Sequence, residues 1–448
     1  MAREMKDSGI EWIGEIPREW EVTKTLNGLS MPITDGPHTT PELFDDGIAF
    51  VSAEAVSSGN GIIDFSHIRG FISQEFYDEC CKKYVPEIDD IYMIKSGATT
   101  GKVAIVNTLE PVFTIWSPLA VFRSNTNIIW PKYLYYQLQS DGYQKQVQLG
   151  WSFGTQQNVG MRVLEQLKIT IPPLPEQQSI ADFLDTQCAH IDSVIEKTCA
   201  AVEEYKKLKQ AVITQAVTKG IRPNREMKDS GIEWIGEIPR EWRMTKIKVG
   251  VSKVGSGKTP SGGAEVYADE GIIFLRSQNI YDTGIVIDSP TFITNETDEE
   301  MKNTRVQPND VLLNITGGSI GRCCIFPNYL KQANVNQHVS IVRVIKTIIL
   351  SEFMHLYWIS DLGKTSIQLF QTGGNREGMT ADAIKNSPIA IPDLPEQSEI
   401  VAYLDEKTAA IDSLIQKKEQ LITELEAYKK SLIYEYVTGK KEVPVHAH

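Results

Sequence analysis

Apolar residues follow two different rhythms along this chain. Residues 21–170 and 243–390 carry short apolar or alternating runs, among them "GIAFVSA", "KVAIV", "GIIFLRS" and "SIVRVI", broken by Gly, Pro, Asn and Asp. Such runs mark half-buried strands, so each stretch predicts a mixed, strand-rich α/β domain. Two later stretches repeat their apolar side chains at steps of three and four. They are Ile180, Leu184, Ile191, Val194, Ala201, Tyr205, Leu208 and Val212 in one, and Ile400, Leu404, Ile411, Leu414, Leu421, Leu425, Tyr428 and Leu432 in the other. That spacing predicts two coiled-coil helices. Pro175 and Pro395 suit a first helical turn, Glu176 and Glu396 favour the positive end of a helix dipole, and Gly220 and Gly439 end the pattern. Forty helical residues would run about 60 Å.

The two rhythms occur twice because the chain is duplicated. "REMKDSGIEWIGEIPREW" fills residues 3–20 and returns unchanged at 225–242. "IPPLPEQQSIADFLDTQCAHIDSVI" from Ile171 matches "IPDLPEQSEIVAYLDEKTAAIDSLI" from Ile391, an offset of 220. The same offset sets Asp90 opposite Asp310, Gly97 opposite Gly317, Gly101 opposite Gly321, Lys102 opposite Arg322 and Arg123 opposite Arg343. A period this long describes whole domains. The expected organisation is a first strand-rich domain at 1–170, a long helix at 171–220, a second domain at 221–390, a second helix at 391–440, and a tail at 441–448. Matched helices most simply pair with each other, antiparallel, with internal pseudo-twofold symmetry and a strand-rich domain at either end. They would act as a ruler. Ile10, Trp12, Ile13, Ile16 and Trp20 of the repeated segment offer apolar anchors, with Pro17 setting a turn. Two such identical joints would dock each domain onto a helix end or onto a partner surface.

Composition narrows the chemistry. A chain of 448 residues, 41% hydrophobic and 23% charged, is that of an ordinary folded protein. No apolar run reaches membrane-spanning length and the polar start has no signal-peptide core, so a cytoplasmic location is expected. The six cysteines fall as Cys80-Cys81, Cys188, Cys199 and Cys323-Cys324, with no zinc-ligand spacing, and read as reduced thiols. "SKVGSGKT" at 252–259 falls short of a phosphate-binding loop, because Ser252 stands where Gly is required and Pro260 follows at once. The seven histidines are scattered; His38 and His338 lie in candidate binding loops, as contacts rather than acid-base groups. No adenine-methyltransferase motif or glycine-rich cofactor loop is present. Net charge is −13, of which the two helical stretches carry −2 and −4 and each repeat −2, leaving −3 for everything else. The strand-rich domains are nearly neutral and the acid sits on the scaffold, so phosphate affinity from this chain alone should be modest.

Two variable domains, each followed by "LPEQ" leading into a long helix, together with the "SGIEWIGEIPREW" opening, resemble the specificity subunit of type I restriction-modification systems over nearly the whole chain. Within each domain the order of further segments agrees: "TDGPHTTP" at 34–41 and "GSGKTPSGG" at 255–263, then "FVSAEAV" and "FLRSQNI", the "SGATTGK" and "TGGSIGR" turns, and the polar loops "GTQQNVG" from Gly154 and "GGNREGM" from Gly373. The resemblance implies a protein without catalytic residues that reads a bipartite, asymmetric site in double-stranded DNA. It also implies two methyltransferase subunits and two translocase-endonuclease subunits as partners, which would bring AdoMet, ATP and magnesium; none of these is expected on this chain, nor is a metal site. A modification-only or type IIB-like assembly and a coiled-coil interaction protein are the alternatives. Base edges are matched by Arg or Lys, Asn or Gln, and Thr methyls. The candidates are Thr39, Lys95, Thr99, Lys102, Gln156, Gln157 and Asn158 in the first domain and Lys258, Ser277, Gln278, Asn279, Asn314, Arg322, Asn375 and Arg376 in the second. Trp151 and Phe153 flank the first polar loop, with core packing favoured for both. The expected helix-pair core is Leu184, Ile191, Val194, Tyr205, Leu208 and Val212 against Leu404, Ile411, Leu414, Leu425, Tyr428 and Leu432.

Overall fold

The computed structural model describes residues 3–151, 157–260, 262, 266–371 and 378–444. Contacts divide the chain into two compact units: Met1–Thr198 with Gln420–His448, and Cys199–Glu419. Each unit holds one repeat, one strand-rich domain, and a half of each long helix. The helices run Leu174–Lys219 and Leu394–Val437.

In the first unit a four-stranded antiparallel sheet has the order Thr34–Asp35, Leu119–Phe122, Ile91–Ile94, Val103–Ile105. Its central strands are buried on both faces, which is why "IYMI" and "LAVF" are continuous apolar runs. A second sheet joins Phe71–Ile72, Ile48–Val51 and Phe113–Ile115, the last pair parallel. The second unit repeats the plan with Val251–Ser256, Val339–Val344, Val311–Asn314 and Cys323–Ile325 in one sheet. Its other sheet grows to five strands around Ile272–Leu275. The duplicated Asp and Arg form a matching clamp: Arg123 donates to both oxygens of buried Asp90 at 2.7 Å each, and Arg343 to both oxygens of buried Asp310 at 2.7 Å each. Asp89 and Asn309 precede them in the left-handed region at φ 68°, a conformation that Asp and Asn tolerate.

Each eighteen-residue repeat grips the start of a long helix. Its hairpin, Met5–Asp7 with Glu15–Pro17, leads to Trp20, whose indole donates to Glu176 at 3.1 Å, while Arg3 donates to both Glu176 oxygens at 2.6 and 3.0 Å. Trp242 and Arg225 hold Glu396 in the same way. The next residue completes the joint. Gln177, wholly buried, accepts from Trp130 N and donates to the carbonyls of Ile128 and Pro172; Gln397 does the same for Leu350, Ile348 and Pro392. The "LPEQ" signature is thus a helix start stitched to its domain. Of the docking surfaces expected for the repeats, the structure shows the helix end.

The helices pair antiparallel within each unit. In the first, Phe183 stacks near Tyr436 (4.6 Å between rings) and Lys429 donates to Asp192 at 2.7 Å. In the second, Lys209 donates to Asp412 at 2.7 Å and the Lys418 ammonium lies 5.8 Å from the Tyr205 ring. Leu184, Ile191, Leu404, Ile411 and Leu432 are buried as expected of a core, Leu425 and Val212 pack at its edge, and Val194 and Tyr205 are half-buried. Leu208, Leu414 and Tyr428 are not core residues: they are 48%, 41% and 53% exposed. The seam instead passes through Ile195, Thr198, Val202 and Lys209 on the first helix and Ile415, Lys418, Ile422 and Lys429 on the second, all buried or half-buried. Polar residues hold several seam positions, Thr198 by bonding back to Val194 O at 2.7 Å and the lysines by burying their stems. An apolar-only stripe therefore slips by one residue.

Candidate nucleic-acid interface

Three loops meet at one end of the four-stranded sheet in each unit, held by a duplicated set of backbone bonds. In the first unit Lys95 N donates to Pro118 O at 2.8 Å, Val159 N to Lys95 O at 2.9 Å, and Gly101 N to Ile94 O at 2.8 Å. At the 220 offset Ile315 N donates to His338 O at 3.0 Å, Met379 N to Ile315 O at 2.9 Å, and Gly321 N to Asn314 O at 2.9 Å. The loop after the first sheet strand presses onto this frame through a glycine. A Cβ on Gly36 would lie 2.0 Å from Ile115 O, and one on Gly257 1.9 Å from Val335 O. These glycines are 221 apart, between the 222 that separates Trp20 from Trp242 and the 220 that separates the later segments. Around Lys258 the amides needed to cradle a phosphate are already used, Gly257 N by Val339 O and Lys258 N by Val335 O.

The side chains on the two frames differ. In the first unit buried Asp35 is met by Lys83 at 2.5 Å, Lys95 at 3.2 Å and His38 at 3.1 Å. Burial raises the Asp35 pKa, but the hydrogen bond from Lys83 and the charges of Lys95 and Lys83 outweigh it, so the carboxyl ends below its ordinary 3.8. A depressed folded-state pKa means that this contribution to stability is fully present above the unfolded value and is lost as pH falls through the folded one. Acid titration of Trp116 fluorescence should therefore show the 34–41 loop releasing only below about pH 4, and Asp35→Asn should abolish that step. A release already complete at pH 5 would contradict this.

The structure sorts the expected base-reading residues. Thr39, Gln157, Asn158, Lys258, Gln278 and Arg322 are exposed on the loops, and the Arg322 guanidinium lies 4.8 Å from the ring centre of Tyr281. Thr99 and Ser277 are half-buried, and Lys102 is exposed but donates to Ser57 O at 3.3 Å. Three expectations need correction. Lys95 is only 12% exposed and turned to Asp35. Asn279 is buried, accepting from Arg276 N and donating to Val286 O, both at 2.9 Å. Asn314 is buried and donates to Ser277 O at 2.8 Å and Ser319 Oγ at 3.1 Å. Each closes a loop from inside, the bonding need that a buried amide or ammonium imposes. Gln156, Phe153, Asn375 and Arg376 lie outside the described residues; Trp151 is half-buried against the core. Sequence reasoning passed over Asp35, because an acid reads as repelling phosphate and its two lysines, Lys83 and Lys95, come from other segments of the chain. It also passed over Arg69, exposed and stacked 3.8 Å from the Trp116 ring centre, and over Gln337. Among the described residues no cluster of three or more His, Cys, Asp or Glu is placed to hold a metal ion, and no helix is long and apolar enough to cross a membrane.

Comparison with known proteins matches this duplicated geometry. The family described as "Type I restriction modification DNA specificity domain" matches residues 19–204 and again 239–424. The putative type I restriction enzyme MjaX specificity subunit of Methanocaldococcus jannaschii is 27% identical over 436 residues, 96% of either chain. The EcoBI specificity subunit of Escherichia coli is 26% identical over 67% of this chain and 64% of its own. Among solved structures, a chain from a study of complex assembly and conformational transition in a type I R-M system superposes with a TM-score of 0.72 at 16% identity, covering 95% of this chain and 99% of that one. The HsdS subunit of Thermoanaerobacter tengcongensis superposes at 0.50, also at 16% identity, covering 95% and 98%.

Proposed function

This chain belongs to the type I restriction-modification specificity family, with one copy of the DNA specificity domain in each half, and from that premise we propose that each copy reads one half of a bipartite, asymmetric site in double-stranded DNA. One observation carries the reading: the same backbone frame recurs at the 220 offset while the polar side chains mounted on it differ. Two frames of one shape with two sets of hydrogen-bonding groups suit two different half-sites. The chain performs no chemistry in this reading. It positions a target adenine for two methyltransferase subunits, which flip the base and bring AdoMet, and it carries two translocase subunits that bring ATP and magnesium. The whole assembly works in the cytoplasm of a prokaryote. Weak phosphate attraction from an acidic chain fits a protein that binds DNA tightly only in its complex.

The test is to express the chain with its methyltransferase partner in a methylation-free host and map N6-methyladenine across the genome. A split motif with two fixed halves around an unread spacer is the expected outcome. An active complex that methylates a continuous motif, or adenines at random, overturns the proposal.

A further inference from the structure

On the second frame, Gln337 stands exposed with both ends of its amide fixed by neighbours. Thr259 Oγ1 donates to Gln337 Oε1, and Gln337 Nε2 donates to His338 Nε2 at 3.1 Å. Since His338 Nε2 accepts, its other nitrogen carries the proton and donates to Thr316 Oγ1 at 2.5 Å. The chain Thr259, Gln337, His338, Thr316 spans three of the loops that the frame gathers, and the His338 backbone is itself part of that frame through Ile315 N. A primary amide has two acceptor sites on oxygen and two donors on nitrogen. With one of each engaged, Gln337 is left with one acceptor and one donor, and reversing the amide would break both bonds.

That remaining pair complements the major-groove edge of adenine, which offers N7 as acceptor and N6 as donor. At the 220 offset the first frame has Ser117 and Pro118 in place of Gln337 and His338, so it has no equivalent amide. We infer that Gln337 is a specificity-determining residue that reads one A·T pair of the half-site bound by the second domain, with Thr259 and His338 as positioning residues. The inference rests on the DNA-reading function proposed above. It adds a residue, a base and a half-site.

The complex with the methyltransferase subunit tests it in two ways. First, N6-methyladenine is mapped for the wild-type chain, Gln337→Ala and Gln337→Glu. Second, the same complexes compete at fixed salt for duplexes in which every pair of the mapped half-sites is substituted in turn. Gln337→Ala should lose its preference at one A·T position of one half-site by roughly tenfold or more. The other half-site should be unchanged, which shows that the variant is folded and assembled. Gln337→Glu, an acceptor only, should move the preference at that position toward cytosine, whose N4 donates. Thr259→Val should weaken the same position and no other. If both Gln337 variants keep every position of both half-sites, the assignment is wrong. It is equally wrong if they relax positions in both halves together, as a structural role would. A wild-type complex with no split motif would instead remove the DNA-reading function itself.

Discussion

Glu396→Ala is expected to destabilise the second unit by about 3–5 kcal/mol, because it strands a buried cation. Arg225 and Glu396 are 8% and 5% exposed, Arg225 engages both carboxylate oxygens, and the Trp242 indole shares the second oxygen at 3.1 Å. Alanine removes three acceptor contacts at once and leaves the guanidinium, among the described residues, with Glu241 as its remaining carboxylate, 3.3 Å away at the surface. The corresponding Glu176→Ala should cost less, about 1.5–3 kcal/mol, since Glu176 and Arg3 are 28% and 17% exposed and water can replace part of the pairing. Amide exchange under urea in residues 225–242 and 394–404, with 3–20 and 174–184 as internal reference, reads the two effects separately. Equal losses in the two variants would show that burial does not set the strength of these joints. Glu396→Gln should fall between, keeping the bond from Trp242 and losing the charge.

Gly257→Ala should abolish recognition by the second domain while sparing the first, and Gly36→Ala should do the reverse. The added methyl group would sit 1.9 Å from Val335 O in one case and 2.0 Å from Ile115 O in the other, far inside van der Waals contact with a sheet carbonyl that cannot rotate away. The loop must lift instead. Overpacking of this kind costs about 1–3 kcal/mol, which a domain with this much buried core should survive, but lifting the loop moves Lys258 and Thr259 off the frame. Mapping the methylated motif of each variant is the measurement. Loss of the half-site on the substituted side with retention of the other supports the division of labour; loss of both would mean that the domains do not read independently.

Much of the architecture was legible because duplication repeats it in plain letters. Asp90 and Asp310, Gly101 and Gly321, and Arg123 and Arg343 align at one offset in the sequence alone, and the helix starts at Glu176 and Glu396 are marked by proline, charge and periodicity. The helix seam was legible only to within one residue. Thr198, Lys209, Lys418 and Lys429 occupy it with aliphatic stems or self-bonded hydroxyls, so counting apolar letters shifts the stripe onto exposed Leu208, Leu414 and Tyr428. Base-reading residues were least legible. Asn279 and Asn314 have the chemistry of readers and the positions of buried staples, whereas Gln337 looks in sequence like any polar loop residue.

The amino-acid sequence by itself determined that there are two alike halves, that each joins a strand-rich domain to a long helix, and which family the chain belongs to, because identity, periodicity and spacing are properties of order along the chain. Tertiary structure alone decided which side of each helix is the seam, why the eighteen-residue segment must recur, and which polar groups face outward. Those outcomes depend on pairing residues far apart in sequence: Arg3 with Glu176, Lys83 with Asp35, Thr259 with Gln337. A hydrogen bond or ion pair selects its partner by distance in space and by access to water, and neither is written in the local pattern.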